Sequence, residues 1–263
     1  MIKLGARLAG IERQREKYRI LLNRSNYRKE LEDSVWEGSA ELASRFDWVP
    51  DRAFSRTQEE SRKRLFSAFQ MIRFAPKQQF DLELLKDAHA CAMGFSDTIP
   101  GGIFRRARAH WLNSVLVLAN WEKVPYLMSN LVVGINQRRI PAFYWEESPN
   151  AQFQRFAYYP VMQAIEANYN SVAIHPFPDG NKRAARLVSS WILDKYGHIP
   201  LSIYDREAYI DGIENYYTTR HPAALYDVML DQMSKSYDNA INEAKSMEIC
   251  RVQMASRIQQ KSA

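Results

Sequence analysis

The chain has 263 residues, with 36 Lys+Arg against 30 Asp+Glu, a formal charge of +6. Its 46% hydrophobic and 25% charged content, with only 10 Gly and 11 Pro, excludes disordered, collagen-like and low-complexity chains. Two cysteines, Cys91 and Cys250, exclude a disulfide framework, no Cys/His spacing points to zinc, and a reducing compartment, the cytoplasm, is expected.

Met1 to Arg7 lacks a long apolar run and a cleavage site, so no secretory leader is expected. Nor does any stretch reach the roughly 18 apolar residues of a membrane helix, so no membrane partner is expected either. Leu4, Leu8 and Ile11 open a helical stripe. The basic segment Arg13 to Lys29 is interleaved with Glu12 and Glu16 and reads as a solvated helix face, which makes a nucleic-acid partner unlikely on sequence grounds. Leu65, Phe69 and Ile72 form a second stripe. Leu82 to Met93 reads as a helix in which His89 is packed and hydrogen-bonded. Pro100-Gly101-Gly102 is a turn signal, and Ile103 to Trp111 after it reads as one arm of a short hairpin, with His110 near its exit. Val124, Leu127, Leu131 and Ile135 make another helix, and segment 136–150 a connecting loop. Val161, Ile165, Tyr169 and Val172 make the next. His198 and His221 read as helix-terminus residues, Pro222 as a helix start ahead of Leu225, Val228 and Met229. Trp121, Trp145 and Trp191 are expected in the core or at contacts. The expectation is an all-α protein with one short hairpin, divided into an N-terminal arm at 1–75, a core at 76–235 and a helical tail at 236–263.

One run stands apart: His175-Pro-Phe-Pro-Asp-Gly-Asn-Lys-Arg-Ala-Ala-Arg186. Ala184, Leu187, Val188, Trp191 and Ile192 after it keep helical spacing, and Gly197 is a plausible stop. Residues 175–181 therefore form a tight loop between two buried helices. The second helix begins there, and its dipole and terminal amides favour an anion. Gly180 lets a phosphate approach the backbone, and Arg183 and Arg186 lie near enough to share one anion. Asp179 offers the hard oxygen that Mg²⁺ accepts beside phosphates, and His175 a proton acceptor near neutral pH.

These residues resemble the signature of the Fic (Fic/DOC) family, HxFx(D/E)GN(G/K)RxxR, at every constrained position. The resemblance implies a Fic-fold helical bundle with a β-hairpin flap and transfer of AMP from ATP to a Ser, Thr or Tyr hydroxyl of a target protein. It implies His175 as the base, Phe177 as the buried anchor and Asp179 as the Mg²⁺ ligand. Gly180, Asn181, Lys182, Arg183 and Arg186 would be the nucleotide contacts. Gly102-Ile103-Phe104-Arg105 is similar to the start of the family's target-docking flap, and Arg206-Glu-Ala-Tyr209 to the pattern near the purine. Asp33-Ser-Val-Trp-Glu37-Gly38 is similar to the inhibitory helix of some members, with Asp33 where Ser or Thr is usual. Glu37 would then pair with Arg186. Lys182 also occurs in the Doc branch, which transfers the γ-phosphate, so a phosphotransferase is the alternative activity; a nucleotide-sensing or DNA-binding module is the alternative without catalysis. Self-modification and homo-oligomer formation are further expectations.

Overall fold

The computed structural model describes residues 2–25, 28–47, 58–94, 101–111, 114–138 and 159–261. Its helices are α1 (Ile2–Arg24), α2 (Arg28–Asp47), α3 (Gln58–Phe74), α4 (Leu82–Met93), α5 (Val124–Gln137), α6 (Pro160–Ile174), α7 (Asn181–Lys195), α8 (Arg206–Thr219) and α9 (Ala223–Lys261), with a single 3₁₀ turn at Trp121–Lys123 before α5. Among the described residues no strand forms.

The apolar stripes become the core. Leu8, Ile11, Leu65, Phe69, Ile72, Val124, Leu131, Ile135, Val161, Ile165, Tyr169 and Val172 are all buried. The helix α6 is buried along its whole length because α5, α7 and α9 all pack against it. α7 lies against α6, α3, α4 and α2, so the loop joining α6 to α7 has covered helices on both sides. α2 and α3 pack on each other and α2 reaches α7, which places the N-terminal arm against the motif helix.

α9 runs unbroken through residue 235, and α1 lies along α9 through Arg7 to Asp227 (2.5 Å) and Gln14 to Asp238 (2.9 Å). The first half of α9 is thus held to the N-terminal arm. His198 follows the end of α7, as its sequence position indicates. It is buried between Tyr237 Oη (2.9 Å from Nδ1) and Glu12 (3.4 Å from Nε2), because α1 and α9 converge on the loop after α7. Most of segment 136–150, including Trp145, lies outside the described residues.

A fully buried carboxyl sits in the core. Glu166 on α6 accepts from Tyr226 Oη and from Tyr216 Oη (3.2 Å), and burial pushes its pKa up to about 8. A carboxyl raised from 4.5 holds its proton in the fold and loses it on unfolding above pH 4.5. Its stabilisation is therefore complete below that pH and drains away as pH climbs toward 8. In Glu166→Gln, which keeps the shape and an acceptor, the fall in thermal midpoint between about pH 5 and about pH 8 should be smaller than in wild type. Equal falls measured by calorimetry would remove this role.

Candidate active site

The loop between α6 and α7 is built by three backbone devices. His175 ends α6 in the left-handed region (φ 52°), a costly conformation for a residue with a Cβ. Gly180 begins α7 at φ 74°, and its missing side chain supplies no cap of its own at the positive end of that helix. Between them Phe177 is fully buried, and Asn181 closes the loop around it. The Asn181 Oδ1 accepts from Phe177 N–H and its Nδ2 donates to the Phe177 carbonyl, both at 2.8 Å. The Asn181 side chain is thereby committed to the loop, and its backbone stands at the helix start.

The chemical groups gather on the outer side of this loop. His175 Nδ1 is buried and makes no hydrogen bond, and the ring lies near the Val172 backbone. Burial, then the Arg105 guanidinium, lowers the pKa of His175 to about 4, so the ring is neutral at physiological pH. Asp179 and Lys182 also lie within electrostatic reach of it, with opposite effects. Asp179 Oδ1 accepts from Gly180 N–H at 2.7 Å. Lys182 Nζ stands 5.9 Å from the centre of the Trp111 ring, which brings the far end of the flap segment to the start of α7. Arg183 Nη1 lies 3.3 Å from Met93 Sδ on α4.

Arg186 is 3% exposed, and its Nη2 donates weakly to the Ala43 carbonyl of α2 at 3.4 Å. Glu37 does not face it. Its carboxylate accepts from Arg62 Nη1 of α3 at 2.6 Å and is half exposed, because Glu37 lies well over a turn before Ala43 on α2. The expected Glu37–Arg186 pair is therefore replaced by a Glu37–Arg62 pair and a backbone contact. Tyr209 is likewise in the core, 2% exposed, with its hydroxyl donating to Asn168 Oδ1 at 2.6 Å. It does not line an open nucleotide site in this arrangement.

The flap segment carries the largest departure from expectation. Arg105 is not presented outward. It is 5% exposed and donates to the carbonyls of Ile174 (3.3 Å), His175 (2.6 Å), Ala107 (2.9 Å) and Ala119. Its own N–H donates to Pro176 O (2.9 Å), and Ala119 N–H to Ala173 O (3.2 Å). The backbone of each arm thus bonds at the end of α6, and no hairpin ladder appears among the described residues. A cation at the C-terminal end of α6 also suits the helix dipole. Phe104 packs against Phe177 (5.6 Å between ring centres), whereas Ile103, Val115 and Val117 remain exposed. Leu116 between the two valines is buried, an alternation that turns one side-chain face of the segment to solvent. A cleft of about 970 Å³ opens beside it, lined by Val117, Trp121, Tyr126, Leu127, Ala173 and Ile174. Trp121 is thus at a cleft rim rather than in the core, while Trp191 is buried.

Sequence reasoning missed Met93 and the Trp111–Lys182 contact. Met93 follows His89 by four residues, one helical turn, which was the available signal.

Residues 79–193 match the Fic/DOC family model. A stretch of 139 residues, 51% of this chain, is 31% identical to a protein adenylyltransferase Fic of Aedes aegypti and covers 24% of that relative. The matched chain thus spans about a quarter of the length of this curated relative. Among solved structures, a Fic domain containing signaling protein from Bacteroides thetaiotaomicron is similar with a TM-score of 0.65 and 18% identity, over 90% of this chain and 98% of the other. Fic-1 from C. elegans is similar with a TM-score of 0.58 and 16% identity, over 95% and 74%. At those identities the structures speak for the fold, which is all-α here as there. The motif, the family match and the fold agree, and this chain carries a Fic/DOC family domain over residues 79–193.

Proposed function

We propose that this protein transfers AMP from ATP to a hydroxyl side chain of a protein target. The observation that carries the reading is a neutral histidine, His175, standing beside an α7 N-terminus flanked by Asp179, Lys182 and Arg183. In the proposed reaction the target hydroxyl oxygen bonds to the α-phosphorus, the bond from that phosphorus to the β-bridging oxygen breaks, and pyrophosphate leaves. His175 Nε2 takes the hydroxyl proton. Charge developing on the phosphates meets the α7 dipole and Arg183.

Magnesium belongs to the same proposal. Among the described residues no cluster of three potential ligands forms, but nucleotide-bound Mg²⁺ is commonly held by one or two carboxylates plus phosphates. Asp179, at the mouth of the phosphate loop, fits that single-carboxylate role. When bound, the ion would neutralise phosphate charge.

The exposed apolar side chains of Val115 and Val117, with Ile103 at the other arm, support docking of the target along the flap. Arg105 then serves by holding the flap rather than by touching the target. Inhibition by the N-terminal arm belongs to this reading in altered form. It rests on α2 covering Arg186 through Ala43, so that the arginine needs α2 to shift before it can clamp a phosphate.

Mass spectrometry of the protein incubated with ATP and Mg²⁺ tests the activity, with α- and γ-labelled ATP compared. An added AMP carrying the α-label is expected; a γ-label alone would instead establish phosphotransfer. In the same assay Glu37→Gly should raise self-modification if releasing Arg62 loosens α2, and an unchanged yield removes Glu37 from the inhibitory device. Stability should fall by about 1 kcal/mol, the cost of a glycine inside a helix.

A further inference from the structure

His89 has no place in the reaction above, yet both of its ring nitrogens are used by the two segments that build the site. The ring is 1% exposed and stacked flat on Phe177, with centres 3.7 Å apart and planes 7° from parallel. Gly102 N–H donates to Nδ1 at 2.9 Å. An amide N–H can only donate, so Nδ1 is the unprotonated nitrogen and the ring proton lies on Nε2. Nε2 then donates to the Asp179 carbonyl at 2.9 Å. One neutral imidazole therefore joins the root of the flap to the turn that opens the phosphate cradle.

The rest of α4 shows that this joint is built rather than incidental. Lys86, His89, Ala90 and Met93 follow i, i+3, i+4, i+7 spacing and so share one helix face. A Cβ at Gly102 would lie 2.7 Å from the Lys86 carbonyl, and one at Gly101 2.5 Å from Ala90 Cα. A Cβ at Gly180 would overlap Met93 Sδ and come within 2.8 Å of His89 Nε2. The glycines of the flap and of the motif loop are thus seated on a single stripe of α4, and His89 is the member that hydrogen-bonds both.

Building on the proposed AMP transfer, we infer that His89 is a positioning residue that locks the flap root, through Gly102, and the phosphate loop, through Asp179, into one register. The lock sets where a hydroxyl held by the flap stands relative to a phosphate held at α7. It also couples the two segments, so that a nucleotide on the loop steadies the flap.

Two substitutions divide the bridge. The amide of His89→Asn reaches about as far as Nδ1 and keeps an acceptor for Gly102 while losing Asp179. The amide of His89→Gln reaches about as far as Nε2 and keeps a donor for Asp179 while losing Gly102. Hydrogen–deuterium exchange of the peptide covering residues 101–107 is measured in wild type and both variants, with and without ATP and Mg²⁺; thermal melts and exchange in α6 monitor folding. Wild-type flap-root exchange should slow by roughly threefold to tenfold on adding nucleotide, the range of one hydrogen bond, and neither variant should respond. A response preserved in both variants, or absent from wild type, overturns the inference.

The partition of AMP between the protein hydroxyl and water supplies the second readout. Water attacks the same α-phosphorus, releasing AMP and pyrophosphate, but needs no flap. Both variants should lower the ratio of transfer to hydrolysis, whereas a general folding defect would lower both rates together. Wild type that couples in exchange but never forms an AMP adduct would sink the AMP-transfer reading and leave the lock standing.

Discussion

Replacing His175 with Ala is expected to lower AMP transfer by about 10²- to 10⁴-fold, the usual range for removing a positioned general base. Binding of ATP with Mg²⁺, measured by calorimetry, should change by no more than about twofold, since the phosphates are held by α7 and not by the imidazole. The separation arises from how the residue is placed. The His175 backbone makes the turn out of α6 and its carbonyl anchors Arg105, both of which an alanine retains, apart from the cost of its left-handed conformation. The ring alone supplies the proton acceptor. Its pKa of about 4 adds a second expectation. The base stays neutral as pH falls through the ordinary imidazole range, so transfer should be nearly flat from about pH 7.5 to about pH 5.5, where an unperturbed histidine would lose about tenfold. The same lowered pKa means that the contribution of His175 to stability is complete above 6.5 and is lost only as pH drops toward 4. An acid limb near 6.5 in the rate profile would contradict the burial that sets this value. A His175→Ala variant with most of its activity would remove the histidine as the base.

Replacing Arg105 should be nearly as damaging, through structure instead of chemistry. One guanidinium satisfies four carbonyls from the end of α6 and the two arms of the flap. Arg105→Ala would leave those acceptors short of donors in a buried place, at a cost of about 3 kcal/mol. Arg105→Lys retains the charge but not the planar fork, so it should recover less than half of that loss. The flap would separate from the His175 carbonyl, and transfer to a protein target should fall by at least about tenfold in both variants. Chemical denaturation together with transfer rates checks this. A lysine variant with wild-type stability and wild-type transfer would show that charge at the end of α6, rather than the array of hydrogen bonds, is what matters.

Both predictions depend on features that differ in how far the sequence exposes them. The helices were legible because apolar residues recur at helical spacing: the Val161–Val172 and Leu65–Ile72 stripes become buried faces without exception. The motif loop was legible too, since its proline and glycine positions and its charges are local to twelve residues. His175, Asp179, Gly180, Lys182 and Arg183 do come together around the start of α7, as their spacing required.

What distant parts of the chain do to that loop could not be read from it. A pattern shows which face of a helix is apolar, and it does not show which neighbour will cover that face or at what height. Glu37 therefore faced Arg186 in the sequence reading and meets Arg62 in the fold, because the pairing depends on how far α2 slides along α3 and α7. Arg105 looked like an outward docking residue until the end of α6 was set beneath it. Tyr209 looked like a nucleotide contact until Asn168, on another helix, claimed its hydroxyl. His89 was expected to be packed and bonded, which it is, but its partners lie 13 and 90 residues away. By itself the sequence determined the helices, the loop and the chemical groups offered there. Tertiary packing decided which of those groups are buried, which are joined and which stay open, because long-range contacts are selected by the mutual fit of whole elements and leave no local periodic trace.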